Sequence, residues 1–362
     1  MRRIKNLFAS YSQKKPSELG VAGILLAALS RLYEAVVRIR LLLYRLSIFR
    51  AVRVDGIRVI SVGNLTVGGS GKTPVTMLIA ELLKDEGNSV CVINRGYGRL
   101  SRQPVQLVSN GGELSTPYPE ASDEAVLCAQ TLGSVPVISA PKRSDAIRTA
   151  RDQLEATAAV LDDAFSHLAA ARDKNILLVD ALNPFGNGCL LPAGALREPL
   201  SSIARADCIL ITRAGAVSGE EIAEIKEGVG SYARDSVPIF SCDINAVEVI
   251  EPDGTCHNAK DYLAGRQVCL LSGIASPNQF EQMVRMLDSS VVGHYVYEDH
   301  HHFTEKEMEI IINVNRKESL LMTTEKDFIR LPSFVKKVAR RLKVKAKIEK
   351  EELSEFKKYL VS

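Results

Sequence analysis

The seven cysteines of this 362-residue chain, at 91, 128, 189, 208, 242, 256 and 269, include no C-x-x-C pair. That absence argues against a disulfide scaffold and a cysteine-based zinc site, and scattered thiols suit a reducing compartment. Long uncharged apolar stretches are also missing. Leu19 to Leu29 reads LGVAGILLAAL and stops at eleven residues, short of the roughly 18 that a spanning helix needs. There is no internal repeat and no low-complexity tract. Apolar residues at 46% and charged residues at 25% exclude a disordered, collagen-like or polytopic membrane chain. The length exceeds what one hydrophobic core usually supports, so about two domains are expected.

The net charge of +3 hides an asymmetry: residues 1–58 hold twelve Lys or Arg against three Asp or Glu, and the rest of the chain is net acidic. A basic head on an acidic body points to phosphates as partners. After the apolar run, RIRLLLYRLSIFR (38–50) mixes Arg with Leu, Ile, Tyr and Phe. This composition suits a helix lying at a membrane surface and favours lipid over nucleic acid. A cleaved signal peptide and a plain amphipathic core helix are the competing readings of the segment.

From residue 57 strands and helices alternate. Apolar runs at 57–62, 89–93, 135–139, 158–161, 175–179 and 207–211 read as buried strands, with helices at 73–86, 122–132 and 142–155. This predicts a mostly parallel α/β sheet flanked by helices. A second set follows, with strands near 237–241, 246–250, 267–271, 291–297 and 319–323 and helices near 276–288 and 304–315. The Gly- and Pro-rich stretch 183–199 reads as an ordered loop at a domain junction.

ISVGNLTVGGSGKTP (60–74) follows the first strand and opens the first helix. Gly68, Gly69, Ser70 and Gly71 let the backbone wrap around phosphates with its N–H groups turned inward. Lys72 would reach the β/γ-phosphates, the Thr73 hydroxyl would ligate Mg²⁺, and Pro74 sits where its missing N–H costs nothing. The usual first glycine of such loops falls at Thr66, so the loop is a GGxGKT variant. A dinucleotide G-x-G-x-x-G is excluded by Pro74, and no N-K-x-D guanine-reading motif is present. TEKD (324–327) reads as a helix cap, Thr324 with Asp327.

A metal-side acid is expected at the end of a neighbouring strand. The sequence leaves two choices, the Asp162–Asp163 doublet and Asp180. SDEA (122–125) reads either as a plain helix start capped by Ser122 or as a catalytic carboxylate at Asp123. YEDHHHF (297–303) holds three of the six histidines. Neighbours in an extended segment point to opposite faces, so a shared metal is disfavoured and an Asp–His pair is the easier chemistry.

Together these motifs resemble one family, the tetraacyldisaccharide 4'-kinases. They are VGNLTVGGSGKTP (62–74), NRGYGR (94–99), SDEA (122–125), DDAFSH (162–167), PFGNGCLLPAGALREPL (184–200), EDHHHF (298–303) and TTEKD (323–327). The resemblance implies a P-loop fold with a second, smaller α/β domain and a membrane-associated start: residues 1–50, a kinase core 51–188, and a C-terminal domain 189–362 closing over the site. It implies ATP and Mg²⁺, a tetraacyldisaccharide 1-phosphate lipid as acceptor, lipid IVA as product, and the cytoplasmic face of a Gram-negative inner membrane as the location. It places Asp162 and Asp163 at the metal, moving that role off Asp180. Asp123 becomes the base with His300 as its partner, and Tyr97 and Arg143 stand near the reacting phosphates. The family's DDGFQH and G-D-E appear here with Ala164, Ser166 and Ser122 substituted. The rival readings are a positioning-type ATPase, which would need Lys where Val67 stands, and a nucleotide-gated membrane adaptor, which would need no base.

Overall fold

The computed structural model describes residues 20–314 and 319–362. The first nineteen residues of the basic head, Leu19 included, and Asn315 at the end of the expected helix 304–315 lie outside the described residues.

Short runs rich in Val, Ile and Leu form the first seven strands, and almost every residue in these is buried because helices cover both faces. In chain order the strands are β1 (Arg58–Asn64), β2 (Val90–Asn94), β3 (Gln106–Ser109), β4 (Val137–Ser139), β5 (Ala158–Leu161), β6 (Lys174–Asp180), β7 (Cys208–Thr212), β8 (Ile239–Ile250), β9 (Cys256–Asn258), β10 (Gln267–Ser272), β11 (Ser290–Val296), β12 (Leu320–Thr324) and β13 (Arg340–Ile348). They make one sheet in the order β11-β10-β12-β13-β8-β7-β6-β1-β5-β2-β4-β3, with β9 added on β8. From β8 to β4 all neighbours are parallel, as are those from β11 to β13. The antiparallel pair β8–β13 joins these two parallel halves. The two strands expected at 237–241 and 246–250 are thus a single strand. Its first residues pair with β7 and the rest with β13. The polar stretch between the two apolar runs is what made it look broken.

β1 lies between β5 and β6, so the loop after it opens at the middle of the first half. The helix Lys72–Asp85 buries Val75, Met77, Ile79, Ala80, Leu82 and Leu83. Its core also takes Phe356 and Leu360 of the last helix, Lys350–Val361. The chain therefore returns at its end to the half where it began. Arg58 of β1 donates to the Leu360 and Val361 carbonyls at 2.9 Å.

The N-terminal helix Gly20–Arg45 is continuous through Arg31 and Glu34. Residues at helical spacing make one inward face. Ser30 donates to the Leu190 carbonyl at 2.7 Å, Tyr33 to that of Arg197 at 2.9 Å, Val37 is buried, and Arg40 donates to Ser166. Leu25, Leu29, Leu32, Val36 and Ile39 form an exposed stripe beside that face. Among the described residues no helix is long and apolar enough to cross a membrane.

Candidate active site

The phosphate loop owes its shape to glycine. Gly68 has φ of 115° and Gly71, at the helix N-cap, has φ of 78°, a region other residues enter at a cost. A Cβ at Gly71 would also collide with Ile244. Lys72 folds back over the loop, with Nζ donating to the Gly68 carbonyl at 3.1 Å and to Asn64 Oδ1 at 3.4 Å. Burial lowers its pKa, against the pull of Asp163 and Asp162. The Ser70 hydroxyl is buried with no partner in the described structure.

β5 runs parallel to β1 and ends at the acidic doublet. Asp162 is buried and accepts from Thr73 Oγ1 at 3.1 Å, Thr76 Oγ1 at 3.0 Å and Asn94 Nδ2 at 3.0 Å. Burial, with Glu124 and Asp163 adding to it, raises its pKa to about 6. Asp163 adopts φ of 45° and is held by the fork of Arg197, at 3.0 and 3.1 Å. Burial works against its charge, but Lys72 and Arg197 outweigh it and bring its pKa down to about 2. Arg143 is fully buried and donates to the Ala140 carbonyl at 2.8 Å and the Asp162 carbonyl at 3.0 Å. Burial lowers its pKa to about 10.

Ser122 caps the helix Asp123–Leu132, accepting from the Ala125 N–H, so a side chain with a local job stands where the family has glycine. Asp123 is 3% exposed. Its Oδ2 lies 3.1 Å from His300 Nδ1 and 3.4 Å from Arg330 Nε. Lys326 Nζ approaches His300 Nε2 at 3.4 Å and Glu124 at 3.0 Å. Lys326 as donor leaves Nε2 an acceptor and puts the imidazole proton on Nδ1, aimed at Asp123. Burial pushes the Asp123 pKa up, but the His300 hydrogen bond, Lys326 and Arg330 bring it below the usual value. The same hydrogen bond raises His300. Tyr97 is exposed, with its ring 5.3 Å from that of His300. The other two histidines of the cluster diverge, His301 to Glu307 at 3.2 Å and His302 to Tyr118 at 3.2 Å.

These groups form one site. The helix Asp123–Leu132 packs against the helix Lys72–Asp85 in one core, with Val75, Ile79 and Leu82 beside Ala125, Val126 and Ala129, so both helix N-termini belong to the same region of the molecule. Asp180 stands apart from the doublet, in an ion pair with Arg213 at 2.5 Å. The sequence reading passed over Asn64, Asn94, Arg197, Lys326 and Arg330. Arg197 lay inside the junction loop, where Gly and Pro dominated. Lys326 lay inside a segment read as a cap, and the cap is present: Thr324 accepts from the Asp327 N–H at 3.0 Å.

The family model LpxK, tetraacyldisaccharide-1-P 4'-kinase, matches residues 22–360. The tetraacyldisaccharide 4'-kinase of Syntrophus aciditrophicus is 37% identical over 316 residues, which is 85% of this chain and 84% of the relative. That of Anaeromyxobacter dehalogenans (strain 2CP-1) is 36% identical over 347 residues, or 94% and 90%. Among solved structures, LpxK from Aquifex aeolicus in complex with ATP superposes with a TM-score of 0.71 at 31% identity, covering 92% of this chain and 96% of that one. With a family model spanning the described fold and relatives of this identity over most of their length, the chain belongs to the tetraacyldisaccharide-1-P 4'-kinase family.

Proposed function

We propose that this kinase moves the γ-phosphoryl group of ATP to the 4'-hydroxyl of a tetraacylated glucosamine disaccharide 1-phosphate, giving lipid IVA. One observation carries the reading: the helix that opens at the glycine-rich phosphate loop packs in one core with the helix that opens at Asp123, whose carboxylate pairs with His300. An adaptor would have no use for that pair.

Phosphoryl transfer asks for positioning and charge stabilisation more than for covalent chemistry. The loop N–H groups and Lys72 hold the phosphate chain. Asp123 accepts the hydroxyl proton as the new bond forms, and His300 orients Asp123. Tyr97, beside His300, borders the place where the two substrates meet. Arg143 braces the Asp162 backbone and favours the charge of Asp163. Thr73 and Asp162 place hard oxygen donors together at the loop, a set that fits Mg²⁺, with Asp163 alongside. When bound, Mg²⁺ neutralises charge on the β- and γ-phosphate oxygens.

An acceptor with four acyl chains stays in lipid, so the enzyme works at the cytoplasmic face of the inner membrane. The exposed stripe of Gly20–Arg45 makes the contact, and the half that carries His300 and Lys326, built on β10 to β12, closes over the phosphate-loop half. Incubation with labelled ATP and a disaccharide 1-phosphate lipid in detergent tests the reading. Labelled lipid is expected, and ATP hydrolysis without it would sink the proposal.

A further inference from the structure

Asp123 and His300 stand on different halves of the sheet, so each needs something to fix it against the other. His300 has a backbone φ of 59°, a left-handed conformation that is costly for a residue with a Cβ and persists where the surroundings hold it. The turn after β10 supplies part of that hold. The His300 N–H donates to the Gly273 carbonyl at 3.1 Å, and the Tyr297 N–H to the Ser272 carbonyl at 2.8 Å. A Cβ at Gly273 would stand 3.1 Å from the Glu298 carbonyl oxygen, 3.2 Å from the Phe303 ring and 3.3 Å from Asp327. Glycine therefore lets the histidine segment lie this close to the turn.

One side chain reaches every part of this arrangement. Arg330 ends the helix Glu325–Arg330, and its side chain is 1% exposed. Its Nη2 donates to the Gly273 carbonyl at 2.8 Å and to Asp327, and its Nη1 to the His301 carbonyl at 3.1 Å. His300 is thus held on both sides, at its own N–H through Gly273 and at the next carbonyl through Nη1. The remaining nitrogen, Nε, is buried without a hydrogen-bond partner in the described structure and lies 3.4 Å from Asp123 Oδ2. Catalytic hydrogen bonds are often long before substrate arrives and tighten with it. Asp123 Oδ1 is already taken by the Glu124 N–H at 2.8 Å, so Oδ2 is the oxygen that His300 and Arg330 share. Asp327 balances the guanidinium and is itself held by Thr324 Oγ1 at 2.7 Å. With His300 and Lys326, Arg330 also favours the charged form of Asp123.

We infer that Arg330 is a positioning residue for phosphoryl transfer, its rigid guanidinium locking the left-handed His300 backbone through the Gly273 and His301 carbonyls while it orients the Asp123 carboxylate. The inference rests on the reading of Asp123 as the base. A guanidinium carries its donors in one plane, and a lysine ammonium brings the charge without the fork.

The test is steady-state transfer from ATP to a disaccharide 1-phosphate lipid in detergent, for wild type, Arg330→Gln and Arg330→Lys, and for Arg330→Gln in the Asp123→Ala background. Arg330→Gln is expected to lower kcat by about 10- to 100-fold, with the KM for ATP within about 3-fold of wild type. Arg330→Lys, which keeps the charge, should lose less than about 10-fold. In the Asp123→Ala background Arg330→Gln should cost less than about 3-fold more, because residues acting through one group do not add. A residue that only supports the fold would cost the same in both backgrounds. If Arg330→Gln does not fold, since it leaves Asp327 buried and unpaired, the double variant Arg330→Gln with Asp327→Asn removes both charges and is measured in its place. An unchanged kcat, a loss confined to the KM for ATP, or equal losses in the two backgrounds overturns the inference and leaves the transfer reading standing. Failure of wild type to label the lipid overturns that reading and the inference with it.

Discussion

At the residue scale the site depends on a few groups whose charges are set by one another. Asp162 is pushed toward protonation by burial and held by three donors, while Asp163 is kept ionised by Lys72 and Arg197. Removing either cation or hydroxyl at the loop should therefore disable chemistry without unfolding the chain. Lys72→Ala and Thr73→Ala are each expected to reduce lipid phosphorylation by about 10²-fold or more, with circular dichroism and the unfolding midpoint little changed. Near-normal turnover in either would remove the loop from the mechanism. The contributing residues were unevenly legible. Gly68 to Thr73 announce themselves because a glycine cluster followed by Lys-Thr between a strand and a helix has few other uses. Arg197 could not be found that way, since a lone Arg in a loop carries no pattern; its fork onto Asp163 exists only once residues 34 positions apart are folded together.

At the element scale the first and last helices do the least predictable work. The last helix seals the core of the first half, with Phe356 fully buried and its ring edge-on to Phe240 at 5.3 Å. Phe356→Ala should cost about 3–5 kcal/mol, read as a lower denaturation midpoint at unchanged slope. Substitution without effect would mean that the helix is not part of the folded core. The first helix has one face occupied by the junction loop and the other bare. Changing Leu25, Leu32, Val36 and Ile39 together to Gln should abolish flotation with anionic liposomes and leave soluble folding intact; undiminished flotation would put the lipid contact elsewhere. Strands buried on both faces were readable as apolar runs, and six of those expected in the first half stand within three residues of their observed bounds. β13 is hidden by its Arg and Lys, and the helix Lys350–Val361 by its Lys and Glu, and only packing shows which of their residues turn inward.

At the scale of the whole molecule, what matters is how the two parallel halves meet. Beyond the β8–β13 seam, the contact runs through the site: His300 to Asp123, Lys326 to Glu124, Arg330 to Asp123 and His302 to Tyr118. Asp123 and His300, 177 positions apart, are already within hydrogen-bond distance, so any closure over substrate starts from an assembled pair. This pair should couple stability to pH in a defined direction. His300 has a raised pKa, so its contribution is complete below its ordinary 6.5 and is lost as pH rises through the raised value. Asp123 has a lowered pKa, so its contribution is present above its ordinary 3.8 and is lost as pH falls through the lowered value. Wild type should therefore lose stability as pH rises above 6.5, and His300→Asn should lose less over the same rise in chemical denaturation. In turnover, each of Asp123→Ala and His300→Ala is expected to lower kcat by about 10²-fold or more. The double variant should be little worse than the worse single one, because residues acting as a unit do not add. The KM for ATP should change little in all three, since the partners of the pair lie outside the phosphate loop. Fully multiplicative losses, or a pH–stability profile that His300→Asn leaves untouched, would show that the two residues act apart, with Asp123 as base alone and His300 as a contact to the acceptor.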